Sequence, residues 1–251
     1  MMNANDAKPS GRRYLLLDAN VVAGYYLPRS LNSERARDRI AGIINSARTS
    51  AVDLFLYIPN FCIAETFSCF MKHGFSPRNR HVKSAGGKID LRVYESLVNQ
   101  FQKDIHNGSV INQYELSRYH VLGVNLVAPI DHYFKIRRRD KNHLPMGTMD
   151  HLIISMGIQL GKIHGPEHVI VISTDTRLCD VVEKARAGLG DQVVRKLKLN
   201  IAKEVTGRAY SPSIYPRCVN LASARNQDLA DVFGTWPLPI GKMPKVYRWT
   251  L

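Results

Sequence analysis

Four carboxylates stand where this 251-residue chain could do chemistry. Asp18 ends the apolar run Tyr14-Leu15-Leu16-Leu17, and Glu65 lies within Phe61-Cys62-Ile63-Ala64-Glu65-Thr66-Phe67. Asp150 precedes Leu152-Ile153-Ile154, and Asp175 follows Val169-Ile170-Val171-Ile172-Ser173. Each aspartate taken singly could be a helix N-cap, its side chain accepting a bond from a free backbone N–H. Glu65 is harder to explain that way. Its neighbours are apolar on every side, and a carboxylate buried there without a partner is costly; the plainer alternative is a helix rim facing water. If all four meet, they form a cluster of like charges that cannot all stay ionised without a cation. Oxygen ligands select Mg²⁺ or Mn²⁺ over Zn²⁺, and no Cys or His cluster offers a softer site. An acidic, metal-binding pocket framed by basic loops suits phosphodiester hydrolysis.

The elements that must position these acids follow from hydrophobic patterning. Residues 14–17, 54–58 and 169–173 are short continuous apolar runs, as expected of strands buried on both faces of a parallel sheet. Helices are expected over about 32–48, from Pro59-Asn60 to about Met71, over Ile89–Ile105, from Asp150 to Leu160 with Gly161 closing it, and over Arg177–Ala187. Residues 109–144 carry a weaker signal, and 121–127 reads as either strand or helix. Strands alternating with helices predict an α/β fold with a mainly parallel central sheet sandwiched between helices. In such sheets the residues just past the strands' carboxyl ends converge on one edge, where ligands bind. Asp18 and Asp175 fall there by the strand reading alone. After about Gly190 the pattern degrades, with prolines punctuating a basic tail.

Charge is concentrated outside those elements. The chain carries 35 Lys and Arg against 21 Asp and Glu, a net +14. Residues 72–88 hold five basic side chains and no acid, 135–141 hold five against one, and 186–251 hold eleven against four. The remainder is slightly acidic. A polyanionic partner is therefore expected, with Arg78, Arg80, Arg137, Arg138 and Arg139 as RNA-binding candidates; basic loops that merely keep the protein soluble are the plainer explanation. The composition excludes disorder throughout, and no apolar run is long enough to cross a bilayer. A polar start without a secretory signal predicts a cytoplasmic protein. Cys62, Cys69, Cys179 and Cys218 form no Cys-x-x-Cys pair and read as reduced and structural. The histidines, including His73, His81, His143 and His151, lack metal-ligand spacing and are expected at the surface.

Four segments, taken in order, resemble the motifs of PIN-domain nucleases. They are residues 15–23 with Asp18-Ala19-Asn20, residues 59–65 ending in Glu65, residues 149–155 with Asp150, and Val171-Ile172-Ser173-Thr174-Asp175. The resemblance covers most of 13–188. It implies a parallel sheet between helices and clustered carboxylates that bind Mg²⁺ or Mn²⁺ for RNA cleavage. On that basis Asp18, Glu65, Asp150 and Asp175 are expected as metal-binding and catalytic residues, with Asn20 and Ser173 supporting them. The expected organisation is a nuclease-like domain over 13–190 with an insertion at about 72–145, then a basic extension over 191–251 packing on it. RNA is the implied partner, with single-stranded DNA, a protein inhibitor or antitoxin, and a homodimer as further options. The chain departs from the family pattern at Arg177, where an additional acid is common, with Asp180 a displaced substitute. The middle stretch is also longer than in compact toxins of the family, and the tail has no counterpart in them.

The leading expectation is thus a metal-dependent endoribonuclease. A catalytically weak PIN-like RNA-binding module is the alternative. A phosphatase with Asp18 as nucleophile ranks lower, because Asn20 stands where a second Asp would be needed.

Overall fold

The structure is a computed structural model that describes residues 11–27, 33–75, 91–138, 146–200, 203, 207 and 209–242. Its centre is a five-stranded, all-parallel sheet in the order β3-β2-β1-β4-β5. The strands are β1 (Arg13–Leu17), β2 (Leu54–Pro59), β3 (Ile111–Tyr114), β4 (Val169–Ser173) and β5 (Arg217–Asn220). β1 lies in the middle, with Leu15 opposite Leu56 on one side and Ile170 on the other. Its Leu15, Leu16 and Leu17 are wholly buried, as is all of β4, which explains why those runs are apolar at every position.

The helices are α1 (Ala19–Tyr26), α2 (Glu34–Arg48), α3 (Asn60–Phe75), α4 (Leu91–Ile105), α5 (Arg118–Gly123), α6 (Ala128–Arg138), α7 (Thr148–His164), α8 (Thr176–Ala187), α9 (Asp191–Lys196) and α10 (Asn226–Phe233). From β1 the chain crosses to β2 and β3, then returns past β1 to β4 and β5. Right-handed crossovers then place α1–α4 on one side of the sheet and α5–α8 on the other. The contacts agree: α1 packs on α2 and α3, whereas α7 packs on α5, β4 and α8. The expected α/β sandwich with a parallel sheet is what the chain forms.

Several local expectations change. The segment 121–127 is helical, the end of α5 followed by a 3-10 turn at Val124–Leu126. Gly161 does not end α7, which continues to His164 and stops at Gly165, φ 88°. Gly161 has another use: a Cβ there would lie 3.1 Å from Pro166 Cα, so its absence lets the following turn fold back over the helix. β3 and β5 occupy stretches where no strand was expected. β5, drawn from the segment after Gly190, pairs with β4, and the buried Arg39 of α2 donates to the Leu221 carbonyl at 2.7 Å. Cys179 and Cys218 are joined as a disulfide between α8 and β5, which corrects the reading of all four cysteines as reduced; Cys62 and Cys69 are free thiols. No helix among the described residues is long and apolar enough to cross a membrane.

Candidate functional site

The carboxyl ends of β1 and β4 are adjacent, so the chain leaves both strands side by side. Asp18 is the first residue past β1, 5% exposed, and its backbone N–H donates to the Ile172 carbonyl of β4. Although it occupies the N-cap position of α1, its side chain makes no capping bond. Instead Asp18 Oδ2 accepts the hydroxyl of the buried Ser173 at 2.6 Å, while Ser173 Oγ accepts the Asp175 amide at 2.9 Å. Ser173 thereby sets the positions of two of the acids at once. Asn20 acts one step away: its Oδ1 accepts the Thr174 amide at 3.4 Å and steadies the turn that carries Asp175, without touching a carboxylate. Asn220 supports the same turn from β5, donating to the Thr174 carbonyl and Thr176 Oγ1.

The other two acids arrive on helices. Asp150 lies in the first turn of α7, where Oδ2 accepts the Gly147 amide at 3.0 Å. Asp175 caps α8, accepting the Arg177 amide at 2.7 Å, and its second oxygen meets the Arg177 guanidinium at 3.3 Å. The N-cap alternative therefore holds for Asp175, holds partly for Asp150, which satisfies a helix-terminal amide from inside the first turn, and fails for Asp18. Glu65 of α3 is exposed at the rim of the cleft, as is its neighbour Ala64. The expectation of a carboxylate enclosed by apolar residues is corrected: Cys62, Thr66 and Phe70 turn to the core, and Glu65 stands at the edge of that face, within reach of the Cys62 thiol but turned to the cleft.

Asp18, Glu65 and Asp150 line one cleft of about 280 Å³, together with Ala19, Asn20, Ser68, Cys69 and Lys72. Asp18 feels this most. Burial pushes its pKa up to about 6; the Ser173 hydroxyl opposes the shift, and the charges of Asp150 and Glu65 reinforce it. Burial and the charge of Asp150 also raise Glu65, against the pull of the Cys62 thiol and Lys72. Asp150 is raised by burial and by Asp175, with the Gly147 amide and Arg177 opposing. All four sequence-derived acids thus act on one another at one edge of the sheet. Asp175 joins through Asp150 and the Ser173 bond, while Arg177 takes up part of its charge.

The donor set is hard and all-oxygen, and each raised carboxylate would be relieved by a cation, so these residues fit Mg²⁺ or Mn²⁺ in kind. Among the described residues no group of three His, Cys, Asp or Glu side chains stands close enough to hold an ion.

Sequence reasoning missed the support beneath Asp150. Asp131 of α6 is buried, and its Oδ2 accepts the Met146 amide and pairs with His151 Nε2, each at 3.0 Å. His151 is 6% exposed, which corrects its expected surface position. No local spacing could have revealed the pair, since Asp131 lies 20 residues from His151. Lys72 was read only as the start of a basic stretch, yet its spacing of seven from Glu65 puts both on one helical stripe. Of the RNA-binding candidates, Arg137 and Arg138 end α6 but their side chains lie outside the described residues, as do Arg139, Arg78 and Arg80 entirely. The side chains of His73, His81 and His143 also lie outside them.

Compared with protein-family models, curated proteins and solved structures, the chain returns no match.

Proposed function

We propose that the chain is a metal-dependent endoribonuclease that hydrolyses RNA phosphodiester bonds with water as nucleophile. One observation carries the reading. A buried carboxylate, Asp18, faces Asp150 and Glu65 across a cleft, with no cationic partner in bonding contact among the described residues, at the strand edge where α/β sheets bind ligands. The order of the four acid motifs, with their likeness to PIN-domain nucleases, and the net charge of +14 support it.

Asp18, Asp150 and Asp175 would hold the Mg²⁺ or Mn²⁺, with Glu65 completing the site. The bound ion supplies Lewis acidity at the phosphoryl group and lowers the pKa of water, so no His base is required. The chain's own part is positional. Ser173 fixes Asp18 and the Asp175 amide, Asn20 and Asn220 brace the Thr174 turn, and Asp131 with His151 anchors the start of α7. Glu65 sits at the solvent side, where its raised proton affinity suits it to orient the attacking water and accept its proton.

The test is incubation of the full chain with mixed RNA and single-stranded DNA, with and without Mn²⁺. Mn²⁺-dependent internal cleavage of RNA that Asp18→Asn abolishes is expected. Cleavage that persists in excess EDTA overturns the reading. A second reading, an RNA-binding module of little catalytic power, is favoured by the Arg177–Asp175 contact, which occupies part of one proposed ligand. Salt-sensitive RNA binding without any Mn²⁺-dependent cleavage selects it.

A further inference from the structure

We infer that Lys72 binds a backbone phosphate of the nucleic acid inside the acid-lined cleft, a role that rests on the nuclease reading above. Glu65, Ser68, Cys69 and Lys72 follow one another at helical spacing along α3 and together form one wall of the cleft. Lys72 Cα stands about 10 Å further along the helix than that of Glu65, at 1.5 Å per residue. Helical side chains lean toward the N-terminus, which carries the ammonium back over Ser68 and Cys69 toward the acids. Its charge accordingly lowers the proton affinity of both Glu65 and the Cys69 thiol. Among the described residues, no carboxylate lies within ion-pair distance of it.

Charge balance says what the ammonium is for. Asp18, Glu65 and Asp150 bring three negative charges to the cleft when ionised, while the fourth acid, Asp175, is offset by its contact with Arg177. One divalent cation leaves a single negative charge, and a phosphodiester monoanion would then enter against repulsion. Lys72 brings the loaded cleft to neutrality. A lysine ammonium is a compact point charge with freely turning donors, so it grips any phosphate and reads no base. The ligand class is therefore a phosphodiester backbone of unrestricted sequence, with the exposed Ser68 hydroxyl as a second donor in the same wall.

The test compares wild type with Lys72→Met, which keeps the apolar stem, and Lys72→Arg. Binding of a fluorescein-labelled, mixed-sequence oligoribonucleotide is measured by anisotropy across a NaCl series with Ca²⁺ in place of Mn²⁺, which keeps a divalent charge in the cleft, and Mn²⁺-dependent cleavage is measured on the same oligonucleotide. Lys72→Met is expected to weaken binding about five- to tenfold and to reduce the slope of log K against log salt by about one. KM should rise by the same factor with kcat within about threefold, and Lys72→Arg should restore most of the loss. A salt slope and KM unchanged in Lys72→Met overturn the inference. So does tighter Mn²⁺ binding with RNA affinity unchanged, which would make Lys72 a counter-ion of Glu65. If the wild type neither binds nor cuts RNA, the nuclease reading itself fails; if it does both and only the variant's slope is unmoved, the failure belongs to Lys72 alone.

Discussion

Two buried aspartates in this protein are treated in opposite ways. Asp104, on α4, is fully enclosed, and its oxygens accept from the Arg48 guanidinium at 2.5 Å, the Tyr26 hydroxyl at 2.7 Å and the Gln100 amide at 2.9 Å. Asp18 is nearly as deep, yet among side chains it has the Ser173 hydroxyl, while Asp150 and Glu65 press on it with charge of its own sign. Arg48 and Tyr26 make Asp104 part of the scaffold that joins α1, α2 and α4. At Asp18 such partners are withheld, and the fold tolerates a carboxylate poised to lose its charge. That difference separates an acid kept for packing from one that, on the proposed reading, is kept for binding.

The contrast can be broken most decisively at Asp18. Asp18→Asn should lower Mn²⁺-dependent RNA cleavage by at least about 1,000-fold while circular dichroism and the thermal transition stay native-like. Asp104→Ala should do the reverse. Leaving Arg48 and Tyr26 buried without their acceptor should cost about 3–5 kcal/mol, read from urea unfolding, with the remaining folded protein still active below its transition.

A third measurement uses pH. Burial raises the Asp18 pKa to about 6 in the folded chain from the ordinary aspartate value of 3.8, so the folded chain binds more protons than the unfolded chain between those values. The metal-free protein should therefore lose stability as pH rises through that window, by about 3 kcal/mol in all, and be at its least stable above it. Asp18→Asn should flatten this dependence, and millimolar Mn²⁺ should raise the wild-type melting temperature at pH 7 but not that of the variant. A wild-type profile flat from pH 4 to 6.5 would remove the basis of the comparison. The smallest effect is expected at Arg177. Its contact with Asp175 is half exposed, so Arg177→Ala should tighten Mn²⁺ binding only about two- to fivefold, measured by titration calorimetry.

Strands β1 and β4, and the acids Asp18 and Asp175 that follow them, could be read from the sequence because a buried central strand leaves an uninterrupted apolar run, and β1 and β4 end abruptly at Asp18 and just before Asp175. The edge strands could not. β3 is Ile111-Asn112-Gln113-Tyr114 and β5 is Arg217-Cys218-Val219-Asn220, four residues each, half-buried and polar, with neither an apolar run nor a clean alternation. What specifies them is the neighbouring strand, which no local window contains. Glu65 lines the cleft with Asp18 and Asp150 but is exposed and not enclosed by apolar residues, since apolar neighbours in sequence are not neighbours on the same helical face. The Asp131–His151 pair and the Cys179–Cys218 disulfide are contacts across 20 and 39 residues, set by the packing of α6 on the start of α7 and of α8 beside β5. Their residues carry no spacing motif of their own.

The Ser173–Asp18 bond joins groups 155 residues apart, because β1, the first strand made, lies in the middle of the sheet and waits for β4. During synthesis the acid at position 18 thus emerges long before the strand that will hold it. Topology of this kind, in which every strand pairing closes a long loop, folds slowly. A nascent chain stopped short of β4 would carry Asp18, Glu65 and Asp150 without the strand whose Ser173 holds Asp18 and leads to Asp175, so any activity of this edge begins only once the chain through Asp175 has left the ribosome.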